Sequence, residues 1–124
     1  MRLLLDTHTF IWWLSDAPQL SGNARQAIID AEAVYVSAAS AWEIAIKLAI
    51  GKLHFPTSVG DEVGREGFLP LAITFAHAER AGILPPHHAD PFDRLLIAQA
   101  QLEDLVLISA DAHMAAYDVA ILRT

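Results

Sequence analysis

Near its start the chain reads Leu3-Leu4-Leu5 and then, without a break, Asp6. A strand with one wet face alternates apolar and polar residues. Three consecutive leucines instead require cover on both faces, which is the signature of a parallel sheet sandwiched between helices. The same unalternated pattern returns in Val34 to Ser37, Phe68 to Ala72, Val106 to Ile108 and Val119 to Leu122. Between these runs lie segments with helical signals. Thr7 to Leu14 reads as helix or turn, Ser21 could cap a helix to about Ala31, and Ser40 opens one to Ile50 with Gly51 just beyond its end. Thr57-Ser58 opens a polar helix through Arg65, and Thr74 to Ala81 is ended by Gly82. Ile83 to Asp90 is a proline-rich loop. Asp90-Pro91 then starts a helix to about Glu103, with an acid at the cap and proline in the first turn. Strand and helix alternate throughout. The expected fold is therefore one α/β domain over residues 1–124, with a mainly parallel central sheet of four or five strands and helices on both faces.

Composition narrows the chemistry. The 124 residues include no cysteine, which removes disulfides, thiolate nucleophiles and cysteine-ligated metals. The formal charge is −7, from 8 Lys+Arg against 15 Asp+Glu, so a basic nucleic-acid-coating protein is a poor fit. Carboxylates that hold divalent cations count as negative in that sum, so an enzyme acting on nucleic acid through metals stays open. Asp6 interrupts the first apolar run too early for a signal peptide, and no stretch reads as a membrane span. The expected compartment is the cytoplasm. Hydrophobic residues make up 54% of the chain, more than so small a domain can bury, so part of that surface is expected to meet a second copy or a partner. The adjacent Trp12 and Trp13 are the first place to look, although both could instead lie along an irregular edge of the core.

Four acids fall where an open α/β sheet builds its sites, outside the carboxyl ends of strands. Asp6 ends the first strand, Asp111 follows a late one, and Glu43 and Asp93 sit on helices. Together they would repel one another unless a cation were present, and an all-oxygen set suits Mg²⁺ or Mn²⁺. Each also has an ordinary structural reading. Asp6 and Asp111 could cap helices, Asp90 and Asp93 could form a reciprocal N-cap arrangement around Pro91, and Glu43 could simply pair with Lys47 four residues on. Against that, Glu43 and Lys47 are the only charges in a helix that otherwise reads as mostly buried. His87 and His88 are expected to face solvent, and His8 could turn toward Asp6. There is no HExxH, Walker loop, GxSxG or dinucleotide glycine pattern. A receiver-like or phosphatase domain would need a lysine past a late strand, and none follows Lys52.

In this order the motifs carry a resemblance. The opening Leu4-Leu5-Asp6-Thr7-His8-Thr9-Phe10-Ile11-Trp12-Trp13, then Ser37-Ala38-Ala39-Ser40-Ala41-Trp42-Glu43-Ile44, resemble the first two acidic motifs of the PIN-domain ribonucleases, in particular the VapC-like toxins of type II toxin–antitoxin pairs. His88-Ala89-Asp90-Pro91-Phe92-Asp93-Arg94 through Ala100, the most distinctive stretch, and Leu107-Ile108-Ser109-Ala110-Asp111 resemble the later ones. The resemblance covers nearly the whole chain. It implies a three-layer α/β/α fold and a Mg²⁺-dependent endoribonuclease, with Mn²⁺ as a substitute. Asp6, Glu43 and Asp93 would be metal ligands, Asp111 would complete the cluster, and Thr7, Asp90 and Ser109 would be accessory. It also implies a homodimer and a cognate antitoxin that covers the acidic cleft. Lys47 and Arg94 would contact RNA phosphate or pair with nearby acids. Ser109 stands where the family often has threonine, and His113-Met114 departs from its more usual basic-then-aromatic pair. The alternatives are a structure-specific DNA nuclease of related fold and a catalytically inactive binding module.

Overall fold

A computed structural model describes residues 1–55 and 57–124. The elements run in the order β1 (Arg2–Leu5), α1 (Thr7–Leu14), α2 (Gly22–Asp30), β2 (Ala33–Ser37), α3 (Ala38–Ala49), α4 (Val59–Arg65), β3 (Leu69–Leu71), α5 (Phe75–Ile83), α6 (Pro91–Glu103), β4 (Val106–Ser109) and β5 (Ile121–Arg123). A short 3₁₀ turn, Met114–Ala116, precedes β5. The five strands form one sheet in the order β3-β2-β1-β4-β5, and every neighbouring pair is parallel. The expected α/β class and parallel sheet are therefore what the chain adopts.

The leucine run explains the layering. Leu3 and Leu5 point to one face and pack with Phe10, Leu20, Ile28, Val34, Val36 and Phe68, under α1, α2 and α4. Leu4 points to the other face and packs with Leu96, Ile97, Leu107 and Met114, under α5 and α6. All three leucines are fully buried, so both faces of β1 are covered and alternation is unnecessary. α3 packs against both α1 and α6 and so bridges the two helical layers.

Local chemistry sets the element ends. Ser21, Ser58 and Thr74 cap α2, α4 and α5 through their hydroxyls. Asp90 caps α6, accepting from the N–H groups of Phe92 and Asp93, with Pro91 in the first turn. Gly51 follows α3 at φ +74°, a conformation glycine adopts without a Cβ penalty.

Three expectations need correction. α3 begins at Ala38 under a Ser37 cap, and Ser40 lies buried inside it. Gly82 does not end α5, because the helix continues to Ile83. α3 is not a mostly buried helix either. Its stripe of Trp42, Ile46 and Ile50 is exposed, at 61%, 39% and 60%, because the helix is covered only along the side carrying Ala39, Ser40 and Ile44. Trp12 and Trp13 take the core-edge alternative: both are half-buried against the first core cluster, and Trp13 Nε1 donates to Glu66 Oε1 at 2.6 Å.

Leu4→Ala should leave a cavity in the central strand that its neighbours cannot fill. The expected cost is about 2–5 kcal/mol, a large share of a total stability of roughly 5–15 kcal/mol. Urea unfolding followed by circular dichroism measures it.

Candidate metal and active site

β1 and β4 are neighbours, and the strand order reverses direction between them. That is the switch point at which open α/β sheets place their sites. The chain leaves β1 at Asp6, whose Oδ1 accepts from Thr9 N at 2.8 Å and caps α1. Asp6 is only 4% exposed, yet it lines a cleft of about 330 Å³ together with Thr7, His8, Trp12, Glu43, His88, Asp90, Asp93 and Asp111. Four expected acids and the accessory Asp90 thus meet at one place. The capping readings of Asp6 and Asp90 also hold, so both residues serve a helix end and face the cleft.

Glu43 enters from α3. The Thr7 hydroxyl lies 2.8 Å from Glu43 Oε1 and 2.9 Å from Ser40 Oγ. A hydroxyl has one proton and an ionised carboxylate can only accept, so Thr7 donates to Glu43 and accepts from Ser40. Lys47 Nζ sits 3.3 Å from Glu43 Oε2, which is the pairing alternative rather than a free phosphate contact.

Asp93 enters from the first turn of α6 and Asp111 from the turn after β4. His88 bridges them, with Nε2 at 2.8 Å from Asp93 Oδ2 and 3.0 Å from Asp111 Oδ2. Burial pushes the Asp93 carboxyl up to about 7, reinforced by the charges of Asp90 and Asp6 and opposed by His88. Asp111 behaves oppositely. Burial pushes it upward, but the His113 backbone N–H and imidazole, with His88, outweigh this and hold it below its ordinary value. Burial together with neighbouring negative charge therefore leaves one carboxyl of the cleft protonated near neutrality. Among the described residues, His88, Asp93 and Asp111 bring ligand atoms within 4.8 Å of one another, an oxygen-rich donor set whose chemistry suits a divalent cation.

The accessory candidate Ser109 and the candidate RNA contact Arg94 each have partners within the protein. Ser109 is fully buried, and its Oγ accepts from Asp111 N at 3.0 Å, fixing the turn that presents Asp111. Arg94 is engaged by backbone carbonyls rather than by the acids. Its guanidinium donates to the carbonyls of Ala81 (2.8 Å), Leu84 (2.9 Å), Pro85 (3.1 Å) and His88 (3.3 Å). Tyr117 completes this clasp, donating to Pro85 O at 2.7 Å and accepting from His88 N at 2.9 Å.

His88 is the residue the sequence reading misplaced. His87 is exposed as expected, but the His88 side chain is 15% exposed and points inward. Its signal was positional. It stands two residues before the Asp90 cap, in a loop stiffened by Pro85 and Pro86, so the turn that starts α6 carries it into the cleft.

A family model for the PIN domain matches residues 3–120. The chain belongs to the PIN-domain family. Among curated relatives, this PIN domain is 32% identical over 120 residues to ribonuclease VapC22 of Mycobacterium tuberculosis (strain ATCC 25618 / H37Rv), covering 90% of this chain and 88% of that protein. Among solved structures it is similar to a toxin–antitoxin complex from Klebsiella pneumoniae, with a TM-score of 0.68, 20% identity, and 97% and 95% of the two chains covered. It is also similar to VapBC2 from Rickettsia felis bound to a promoter DNA fragment, with a TM-score of 0.66, 10% identity, and 99% and 98% covered. At those identities the structural likeness speaks for the fold of the PIN domain.

The raised Asp93 carboxyl carries a pH dependence. The folded protein keeps this proton up to about pH 7, whereas an unfolded chain releases it near 3.8. Stability contributed by the proton is present below about pH 4 and is lost as pH rises toward 7. In EDTA, wild type should lose stability relative to Asp93→Asn between pH 5 and pH 8, and saturating Mg²⁺ should remove the deficit. Urea midpoints of both proteins at the two pH values test this. Separately, Arg94→Ala strands several carbonyls and should cost about 1–3 kcal/mol. Hydrogen exchange should quicken first across residues 84–90.

Proposed function

We propose that this PIN domain is the toxin of a toxin–antitoxin pair, a divalent-metal-dependent endoribonuclease that hydrolyses RNA phosphodiesters with Mg²⁺ or Mn²⁺. The observation that carries the reading is the convergence of Asp6, Glu43, Asp93 and Asp111 on one cleft at the switch point. A module that only binds has no use for so costly a concentration of charge. The likeness to ribonuclease VapC22 supports the same class of reaction.

Asp6, Glu43, Asp93 and Asp111 would hold the cation through carboxylate oxygens. When bound, Mg²⁺ supplies activation of the attacking water and neutralises charge building on the phosphoryl oxygens. Thr7 and Lys47 fix Glu43 from two sides, so its carboxylate is oriented before substrate arrives. The 2′-hydroxyl is not needed as nucleophile, and the expected products carry a 5′-phosphate and a 3′-hydroxyl. With Lys47 paired and Arg94 turned to carbonyls, cations at the cleft rather than side chains would offset the charge of the RNA backbone.

Among the described residues no helix is long and apolar enough to cross a membrane. The reading places the protein with its RNA in the cytoplasm. Its inhibitor would be a cognate antitoxin, since the solved structures it resembles include toxin–antitoxin complexes. An arginine-bearing segment from that partner suits a cleft of carboxylates. For a homodimer, the exposed Phe75 (89%) and Ile83 (81%) on α5 supersede the half-buried Trp12 and Trp13 as the first surface to examine.

The test compares matched single-stranded RNA and DNA with Mg²⁺, with Ca²⁺ and with EDTA. RNA cleavage should require Mg²⁺ and fail in EDTA. It should be poorly supported by Ca²⁺, whose looser coordination orients water less well. Asp6→Asn should lower it by roughly 10²-fold or more, the scale for losing one preorganised transition-state contact. Undiminished cleavage in EDTA or in Asp6→Asn would defeat the reading, and preferential cleavage of DNA would replace it with the DNA-nuclease alternative.

A further inference from the structure

The cleft is not chemically uniform. On one side Glu43 is held by Thr7 and Lys47. On the other, His88, Asp93 and Asp111 form the group among the described residues whose ligand atoms all lie within 4.8 Å of one another. We infer that His88 is a ligand as well as a neighbour of that site, so that His88, Asp93 and Asp111 take a transition divalent cation through two carboxylate oxygens and one imidazole nitrogen. This rests on the metal-dependent reading of the cleft and deepens it.

The geometry matches a coordination edge. Metal–ligand distances of about 2.1 Å at right angles put adjacent donor atoms about 3 Å apart. Nε2 lies 2.8 Å and 3.0 Å from the two carboxylate oxygens. The ring is also delivered by fixed backbone. The His88 N–H donates to Tyr117 Oη and its carbonyl accepts from Arg94, so little ordering remains when a cation arrives. Without a cation Nε2 carries a proton toward Asp111, whose ionised carboxylate can only accept. On ligation the Nε2 lone pair takes the cation and the ring proton resides on Nδ1. In the cation-free site Nδ1 instead accepts from the Asp90 N–H at 3.5 Å, a long, weak contact that ligation would give up.

The consequence is selectivity. Carboxylates alone suit Mg²⁺, and imidazole adds affinity for Co²⁺, Ni²⁺ and Zn²⁺. His88 should therefore matter to those ions and little to Mg²⁺. The probe is Co²⁺ added to the full chain. Proton NMR of the Co²⁺-loaded wild type should show a strongly shifted ring N–H resonance that vanishes in D₂O. His88→Gln should lose it, while His113→Gln should keep it, which separates His88 from the imidazole stacked on it at 5.1 Å. By calorimetry His88→Gln should weaken Co²⁺ by about 10-fold or more, on the scale of disturbing a metal site's ligand set, and change Mg²⁺ by less than about 3-fold. Absence of the resonance in wild type overturns the assignment whether or not the variant folds. Its persistence in His88→Gln, or an equal loss of both ions, overturns it too. A protein that shows the His88 signal yet cuts no RNA would instead defeat the nuclease reading and leave the ligand assignment standing.

Discussion

Asp6 and Asp111 meet because β1 and β4 run parallel, side by side, and stop at the same edge of the sheet. The pairing is closed by hydrogen bonds beyond the strand itself. The Asp6 N–H donates to Ile108 O at 3.1 Å, and the Thr9 hydroxyl donates to the same carbonyl at 3.2 Å. The first residues of α1 are thereby pinned to the end of β4. Removing that parallel pair would separate the two acids and also uncover the leucines that hold both helical layers.

Charge is the cost of this arrangement, and the protein distributes it unevenly. Glu43 is offset by Lys47, Asp111 by His113, and Asp6 and Asp90 by the N–H groups they cap. Asp93 shares His88 with Asp111, and burial, with the charges of Asp90 and Asp6 added to it, pushes its carboxyl up to about 7. A protein selected only to fold would find little advantage in that last carboxylate.

Much of this was legible in the sequence because it depends on local rules. Unalternated apolar runs imply a covered parallel sheet, and Asp90-Pro91 marks a helix start wherever it falls. The acids could be picked out because Asp6 follows β1 directly and Asp111 lies just past β4. What was not legible depends on directions that only tertiary packing sets. Arg94 reads as a free cation until the carbonyls of Ala81, Leu84, Pro85 and His88 are seen to surround it. His88 reads as a loop residue until that same clasp turns its ring inward. The α3 stripe reads as core because Trp42, Ile46 and Ile50 are apolar, and periodicity does not reveal whether a second surface exists to cover them.

That uncovered stripe sits on the outer side of the helix that carries Glu43. Trp42 meets the ring of Phe92 edge-on at 5.2 Å, and Phe92 is the immediate neighbour of Asp93. α3 also leans on both α1 and α6. One aromatic contact on the outer surface thus ties together the two helices that bring Glu43 and Asp93 to the cleft, so the outside of the molecule and its acidic centre share a single seam.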